Sequence, residues 1–326
     1  MIKKLKFAGL SIAAVLAGSM TLANVAVADD NFPRKPVSMV VAYSAGGGTD
    51  TAARVIAKHV EPHLGQRLVI QNKPGAGGQI GFSDLARSKN DGYKIGFINL
   101  PSLYMVKMLR NKVPYEFSDF EAIANIQIDP VVLAVNADSP YSSFEEFLAA
   151  AKANPGKINI GGDGPQSNNQ LQLVIAQKKL GAEFNFVAFS GSGPAVTATL
   201  GNQVDASIPS ATSVANHARN GRLKVLAVFA DERFAYLPNV PTVKEVTGIE
   251  VPAVGASMRG VAVPKGTPEA RKKSLELAFK KVMEDKEFLS YAEEVGMPLN
   301  YMSAQDFDEY LAKTAASVEQ YIDLLK

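Results

Sequence analysis

The stretch best suited to chemistry in this chain is Tyr43-Ser44-Ala45-Gly46-Gly47-Gly48-Thr49-Asp50. Glycines let a backbone come close to a ligand, and the first turn of a helix leaves backbone N–H groups without intrahelical acceptors. Those N–H groups, together with the positive end of the helix dipole, favour a bound anion. Thr49 or Asp50 is placed to cap the helix that follows. The implied chemistry is anion binding by backbone donors. A second run of the same kind, Phe189-Ser190-Gly191-Ser192-Gly193-Pro194-Ala195, reads as this cradle repeated. Pro194 suits a first helical turn, and Ser190 or Ser192 suits a cap or a ligand contact.

Catalytic motifs do not assemble in the sequence. Gly191-Ser192-Gly193 lacks the third glycine of a dinucleotide fingerprint, and there is no P-loop, no Gly-x-Ser-x-Gly elbow and no cysteine. His59 and His63 lie four apart, but Glu61 is not where a zincin needs it and Pro62 disturbs the helix, so surface or helix-end histidines are expected. His217 is read as a surface residue near a turn. Asp50 and Asp205 are candidate ligand contacts, and Asp50 is also a natural helix-start residue. No enzyme activity, cofactor or metal is expected.

These residues need elements to position them. Val37 to Ala42 reads as a buried strand, and Thr49 to Leu64 as a helix with Ala52, Val55, Ile56 and Val60 on its apolar side. Gln66–Gln71 and Tyr93–Asn99 supply two more strands, with a glycine turn at Gly75–Gly78 opening a helix between them. In an open α/β sheet, ligands sit beyond the carboxyl ends of the strands at a switch point. That rule selects the loops Tyr43–Asp50 and Asn99–Ser102, with Asn99 and Ser102 as polar contacts, and leaves Gly75–Gly78 to packing at the rim. A second α/β unit follows. Pro130–Val135 is a strand, Ser142–Lys152 a capped helix with Glu145 at capping-box spacing, and Lys157–Gly162 a strand with a glycine exit. The polar segment 163–169 contributes Gly164, Ser167 and Asn168 as candidates, ahead of a helix near Leu171–Leu180. Helical stripes at Leu275, Phe279 and Val282, at Phe288 and Ala292, and at Phe307, Leu311 and Val318 complete the core.

The chain has 326 residues, enough for two domains, and 47% of them are hydrophobic. Lys3, Lys4 and Lys6 precede an apolar run ending in Ala26-Val27-Ala28, the pattern of a cleaved signal peptide, with a membrane anchor as the rival reading. Cleavage after Ala28 removes three lysines and no acid, so the formal charge of +2 becomes −1. Such a chain has no global field for nucleic acid or a membrane surface. A clamp of two opposed helix N-termini holds its anion with local donors and needs no cationic side chain.

Several motifs, taken together, resemble the Bug or tripartite tricarboxylate transporter receptor family. They include Phe32-Pro33-Arg34-Lys35-Pro36, Ala45-Gly46-Gly47-Gly48-Thr49-Asp50, Gln71-Asn72-Lys73-Pro74-Gly75-Ala76-Gly77-Gly78 and Asp91-Gly92-Tyr93. Gly201-Asn202-Gln203-Val204-Asp205, Leu237-Pro238-Asn239-Val240-Pro241-Thr242 and Pro264-Lys265-Gly266-Thr267-Pro268 extend the resemblance along the mature chain. It implies a two-domain α/β clamshell of the periplasmic-binding-protein type, with residues 29–128 plus about 252–326 as one domain and 129–251 as the other. It also implies a monomeric periplasmic receptor that takes a small carboxylate to a two-component membrane permease. By the same resemblance, backbone N–H groups and ordered water from Tyr43–Asp50 and Phe189–Ala195 hold the ligand. Tyr43 and Phe189 would wall the cleft, and Gly47→Val would abolish binding with the fold intact. Two departures bear on which acid is bound: Ala188-Phe189-Ser190-Gly191 stands where the family has Pro-Tyr-Lys-Gly, and Gln170 where a His is frequent. A receptor that presents its ligand to a signalling sensor is the alternative. A secreted enzyme would need a nucleophile or metal that the sequence does not offer.

Overall fold

The computed structural model describes residues 31–326 except Ser44 and Gly47. The leader with its cleavage after Ala28 and the candidates Ser44 and Gly47 therefore lie outside the described residues. The chain starts with β1 (Val37–Val41), α1 (Gly48–Leu64), β2 (Leu68–Asn72), α2 (Gln79–Ala86), β3 (Lys94–Leu100), α3 (Ser102–Leu109) and β4 (Phe120–Asp129). It continues through β5 (Val131–Asn136), α4 (Phe144–Ala153), β6 (Asn159–Asp163), α5 (Asn168–Leu180), β7 (Asn185–Phe189) and α6 (Ser192–Leu200). Then come β8 (Ala206–Ser207), α7 (Thr212–Arg219), β9 (Leu223–Phe229), α8 (Val243–Thr247) and β10 (Ser257–Pro264). The last elements are α9 (Glu269–Glu284), α10 (Lys286–Glu294), β11 (Leu299–Met302) and α11 (Ala304–Tyr321).

Two mixed sheets organise these elements. The first runs β11-β4-β10-β3-β1-β2, with β1 parallel to both β2 and β3 and β10 antiparallel to β3 and β4. The apolar run of β1 is buried almost throughout because helices cover both faces, as expected for parallel strands. Ile56 and Val60 of α1 join Phe279 of α9 and Phe288 of α10 on one face. Phe82 of α2, Leu103 of α3 and Phe307 of α11 pack on the other. The switch point between β1 and β3 falls where the sequence placed it.

The second sheet runs β7-β6-β8-β5-β9, with β6 parallel to β7 and β8 and β5 antiparallel to β8 and β9. β6 lies between β7 and β8 as β1 lies between β2 and β3. The counterpart of the β1–α1 loop is therefore the β6–α5 loop at Asp163–Ser167. The segment Phe189–Ala195 follows the edge strand β7 and corresponds to the exit of β2. Reading it as the first cradle repeated is thus corrected by sheet order, which glycine-rich exits alone do not reveal.

Helix ends follow local chemistry with small shifts. Ser143 rather than Ser142 caps α4, accepting from the Glu146 N–H at 3.2 Å, while Glu146 accepts from the Ser142 N–H at 2.8 Å. Ser167 caps α5 by accepting from the Gln170 N–H at 3.2 Å. His59 is not a surface residue. It is 7% exposed and packs against the rings of Phe288 and Tyr291, with centroids 5.5 and 5.7 Å away. His63 instead pairs with Asp285 at 3.2 Å. Among the described residues, no cluster of His, Asp and Glu suits a metal, and no helix is long and apolar enough to cross a membrane.

Candidate functional site

The β1–α1 loop is held by Asp50, which is 2% exposed. Its Oδ2 accepts from the Gly46 N–H at 2.8 Å and from Arg54 Nε at 2.9 Å, and its Oδ1 accepts from Asn72 Nδ2 at 2.9 Å. Asn72 Nδ2 also donates to the Tyr43 carbonyl at 3.0 Å, which ties the end of β2 to the end of β1. Burial would raise the Asp50 carboxyl, but its bonds to Arg54, the Gly46 N–H and Asn72 outweigh burial and hold it below the usual carboxylate range. Gly46 adopts φ +79°, a left-handed conformation that suits glycine. Asp50 thus shapes the loop and spends its own oxygens on doing so.

Above the start of α1, Thr49 is 6% and Asn99 7% exposed. The Thr49 hydroxyl oxygen accepts from Asn99 Nδ2 at 2.8 Å and from Arg259 Nε at 3.3 Å. Arg259 comes from β10, whose register places it opposite Asn99 of β3 and Gln127 of β4. Tyr43 is half-buried, its ring edge-on to Phe82 at 6.4 Å. Burial pushes its hydroxyl above the ordinary range, and that hydroxyl also feels the charges of Arg259 and Asp163. Gly78, at φ +101°, lets the start of α2 pack onto this wall, since a Cβ there would sit 2.6 Å from Phe82 and 3.3 Å from the Tyr43 hydroxyl. Packing is thus what the glycine turn at the rim provides.

The second sheet contributes Asp163 from the end of β6. Its Oδ1 accepts from the Ser192 hydroxyl at 2.7 Å, and its carbonyl accepts from the Ser167 hydroxyl at 3.1 Å. Burial raises the Asp163 carboxyl, while the Ser192 bond and Arg259 work against that rise. Phe189 lies against Gly161, where a Cβ would come within 3.0 Å of the ring, and its carbonyl is 3.6 Å from the Cβ position of Gly164. The exits of β6 and β7 therefore form one surface. Ser190 and Gly193 are exposed on it, whereas Ala195 lies on the buried side of α6 and presents no side chain there.

Tyr43, Gly46, Thr49, Asn99 and Ser102 share one neighbourhood at the carboxyl ends of β1 and β3, and Ala45 is exposed in the same loop. Gly164, Ser167, Phe189 and Ser190 lie around Asp163. Two candidates are engaged elsewhere. Asp205 accepts from the Asn159 N–H at 2.8 Å, at the start of β6 and so at the opposite end of that strand from Asp163. Asn168 is 8% exposed and donates to the Gly255 carbonyl at 2.8 Å and the Ser257 hydroxyl at 3.1 Å, which fastens the segment leading into β10.

The sequence reading passed over Arg259, Asp129 and Asp163. The usable signal was a lone charge in an apolar strand: Arg259 within Met258–Val263, and Asp129 between Ile128 and Pro130. Buried charges are rare unless paired, so each such residue marks a place where the fold supplies a partner.

Comparison with known proteins agrees with this architecture. A family model described as "Tripartite tricarboxylate transporter family receptor" matches residues 52–326. A Cupriavidus necator protein, described as the UPF0065 protein in the gbd 5' region, is 32% identical over 98% of this chain and 95% of its own length. The Rhodopseudomonas palustris protein Rpa4515, solved with adipate, superposes with a TM-score of 0.79 at 26% identity, covering 90% of this chain and 98% of that one. MatC from the same organism, solved with bound malate, gives a TM-score of 0.74 at 26% identity, covering 90% of this chain and all of that one (100%). Two mixed sheets, a glycine loop at the switch point of the first and a match along most of the chain lead to one conclusion: this protein belongs to the tripartite tricarboxylate transporter receptor family, whose members are solute-binding proteins with a two-domain α/β fold.

Proposed function

We propose that this protein is a periplasmic receptor for a small organic acid, which it binds between the β1–α1 loop and the exits of β6 and β7 and carries to a two-component membrane permease. Residues 29–128 with about 252–326 form one domain and 129–251 the other, and the strand passages near Asp129–Val131 and Ser257 act as the hinge. Tyr43 is the observation that carries this reading. Its hydroxyl feels the charge of Arg259 from β10 of the first sheet and of Asp163 at the exit of β6 of the second, so groups from both sheets act on one side chain.

The energetics suit a carboxylate. A helix N-terminus stabilises a nearby anion by about 0.3–1 kcal/mol, and each hydrogen bond to a charged oxygen adds about 1.5–3 kcal/mol. The acids bound by Rpa4515 and MatC, adipate and malate, are the first to try here. A thermal-shift screen of residues 29–326 against aliphatic, tricarboxylic and aromatic acids tests the proposal. A ligand at 100 times its dissociation constant adds about 2.7 kcal/mol of stability, enough to raise the melting temperature clearly. A shift with one class of acid supports the proposal. No shift with any acid, in protein shown by denaturing mass spectrometry to carry no co-purified ligand, would overturn it.

A further inference from the structure

Arg259 is 7% exposed, yet among the described residues it has one hydrogen-bond partner, Thr49. A guanidinium has five N–H donors. Nε donates to Thr49, while Nη1 lies 3.7 Å from Asp129 Oδ2, close enough for an ion pair but beyond hydrogen-bond range. No described residue accepts a hydrogen bond from Nη1 or Nη2. Nη2 instead lies against the start of α1, 3.4 Å from where a Cβ on Gly48 would be.

This placement sets a cation against the positive end of a helix, which is unfavourable when nothing negative lies between them. Asp129 answers it only in part, because its oxygens also accept from the Thr212 N–H at 3.2 Å and from the Thr212 hydroxyl. A second buried group nearby is unfinished as well: Asn99 Oδ1, beside Thr49, has no partner among the described residues. A half-turn of that amide lets the Thr49 hydroxyl donate to Oδ1 and turns Nδ2 toward the site as a donor. An anion seated at the start of α1 would answer the free Nη1 and Nη2 hydrogens, the helix N–H groups and the Asn99 amide together.

Resting on the receptor reading above, we propose that Arg259 contacts the ligand carboxylate and sets the receptor's preference for an ionised acid over its neutral amide. Backbone N–H groups already bond a carboxylate oxygen more strongly than an amide carbonyl, because the acceptor is charged. A buried guanidinium widens that difference, because only the ionised acid adds a direct attraction between opposite charges in a site of low dielectric. Thr49 and Asp129 position the fork, and Asp129 supplies the counter-charge when the site is open.

The test is calorimetric titration of residues 29–326 with adipate and malate, and with adipamide and malamide as their uncharged analogues. The variants are Arg259→Gln, Arg259→Lys, and Arg259→Gln combined with Asp129→Asn, which removes the buried charge pair as a unit. We expect both Gln variants to lose at least about tenfold in acid affinity and clearly less in amide affinity, with Arg259→Lys recovering part of the acid loss. Acid affinity within threefold of wild type in Arg259→Gln would overturn the inference and leave the receptor reading standing. Equal losses for acid and amide would also overturn it, by marking Arg259 as structural. Failure of the wild-type chain to bind any acid would remove the receptor reading and this inference with it.

Discussion

Asp129 and Arg259 lie 3.7 Å apart on neighbouring strands, and each is hydrogen-bonded at the start of a different helix. Asp129 accepts from Thr212 at the beginning of α7, against the second sheet, while Arg259 donates to Thr49 at the beginning of α1, against the first. The anion stands where helix N–H groups welcome it, and the cation stands where they do not. The pair therefore spans the passage from β4 into β5 and leaves a positive edge toward the glycine loop. Removing Asp129 alone strands a buried cation. Asp129→Ala should cost about 3–5 kcal/mol in urea unfolding, and the double change Asp129→Ala with Arg259→Met should recover much of that loss.

Asp50 gives the loop an acid-sensitive lock. Its carboxyl titrates below the ordinary aspartate value of 3.8 in the folded chain, so the ionised form favours folding. That contribution is present above the unfolded-state value and is lost as pH falls through the lower native one. Unfolding curves for wild type and Asp50→Asn should therefore differ at neutral pH and converge as pH falls through the lowered native value. At neutral pH, Asp50→Asn should also weaken acid binding about tenfold, because Gly46 loses its charged acceptor.

Asp163 behaves oppositely. Burial raises its native value, so its stabilising contribution is full at low pH and is lost as pH rises through that raised value. Asp163→Asn should equal or exceed wild type in stability at neutral pH, with the difference closing in acid. Its charge also opposes an incoming anion. Wild-type affinity for an acid should rise as pH falls through the raised Asp163 value, and the Asp163→Asn profile should be flatter and higher when titrated by calorimetry.

Gly46→Val separates loop shape from folding. An added Cβ meets nothing within 4 Å, so packing is unaffected, but a β-branched residue at φ +79° is strained by about 1–2 kcal/mol. The expected result is a melting temperature lowered by a few degrees together with loss of the ligand-induced shift. A retained shift would separate the left-handed turn from ligand binding.

Much of the first sheet was legible because its signals are local. Val37–Val41 is an apolar run, the glycines sit at its end, and Asn99 closes the buried run Ile95–Ile98. The arrangement around Arg259 was not legible, because β10 returns from far along the chain and inserts antiparallel between β3 and β4. Nothing in Ser257–Pro264 names its neighbours. The same gap misplaced His59, whose aromatic partners come from α10, and Asp205, whose sequence marks a strand start without saying which end of the sheet it occupies. Glycine-rich exits also look alike at an interior strand and at an edge, so the true counterpart of the β1–α1 loop emerged only from sheet order.

The most direct test of the carboxylate clamp is one calorimetric comparison on residues 29–326: adipate and malate against adipamide and malamide. The account predicts that at least one of the acids binds with a single site per chain and that its amide binds at least about tenfold more weakly. Equal affinity for acid and amide, or no binding of either acid by ligand-free protein alongside tight binding of an uncharged solute, would contradict it.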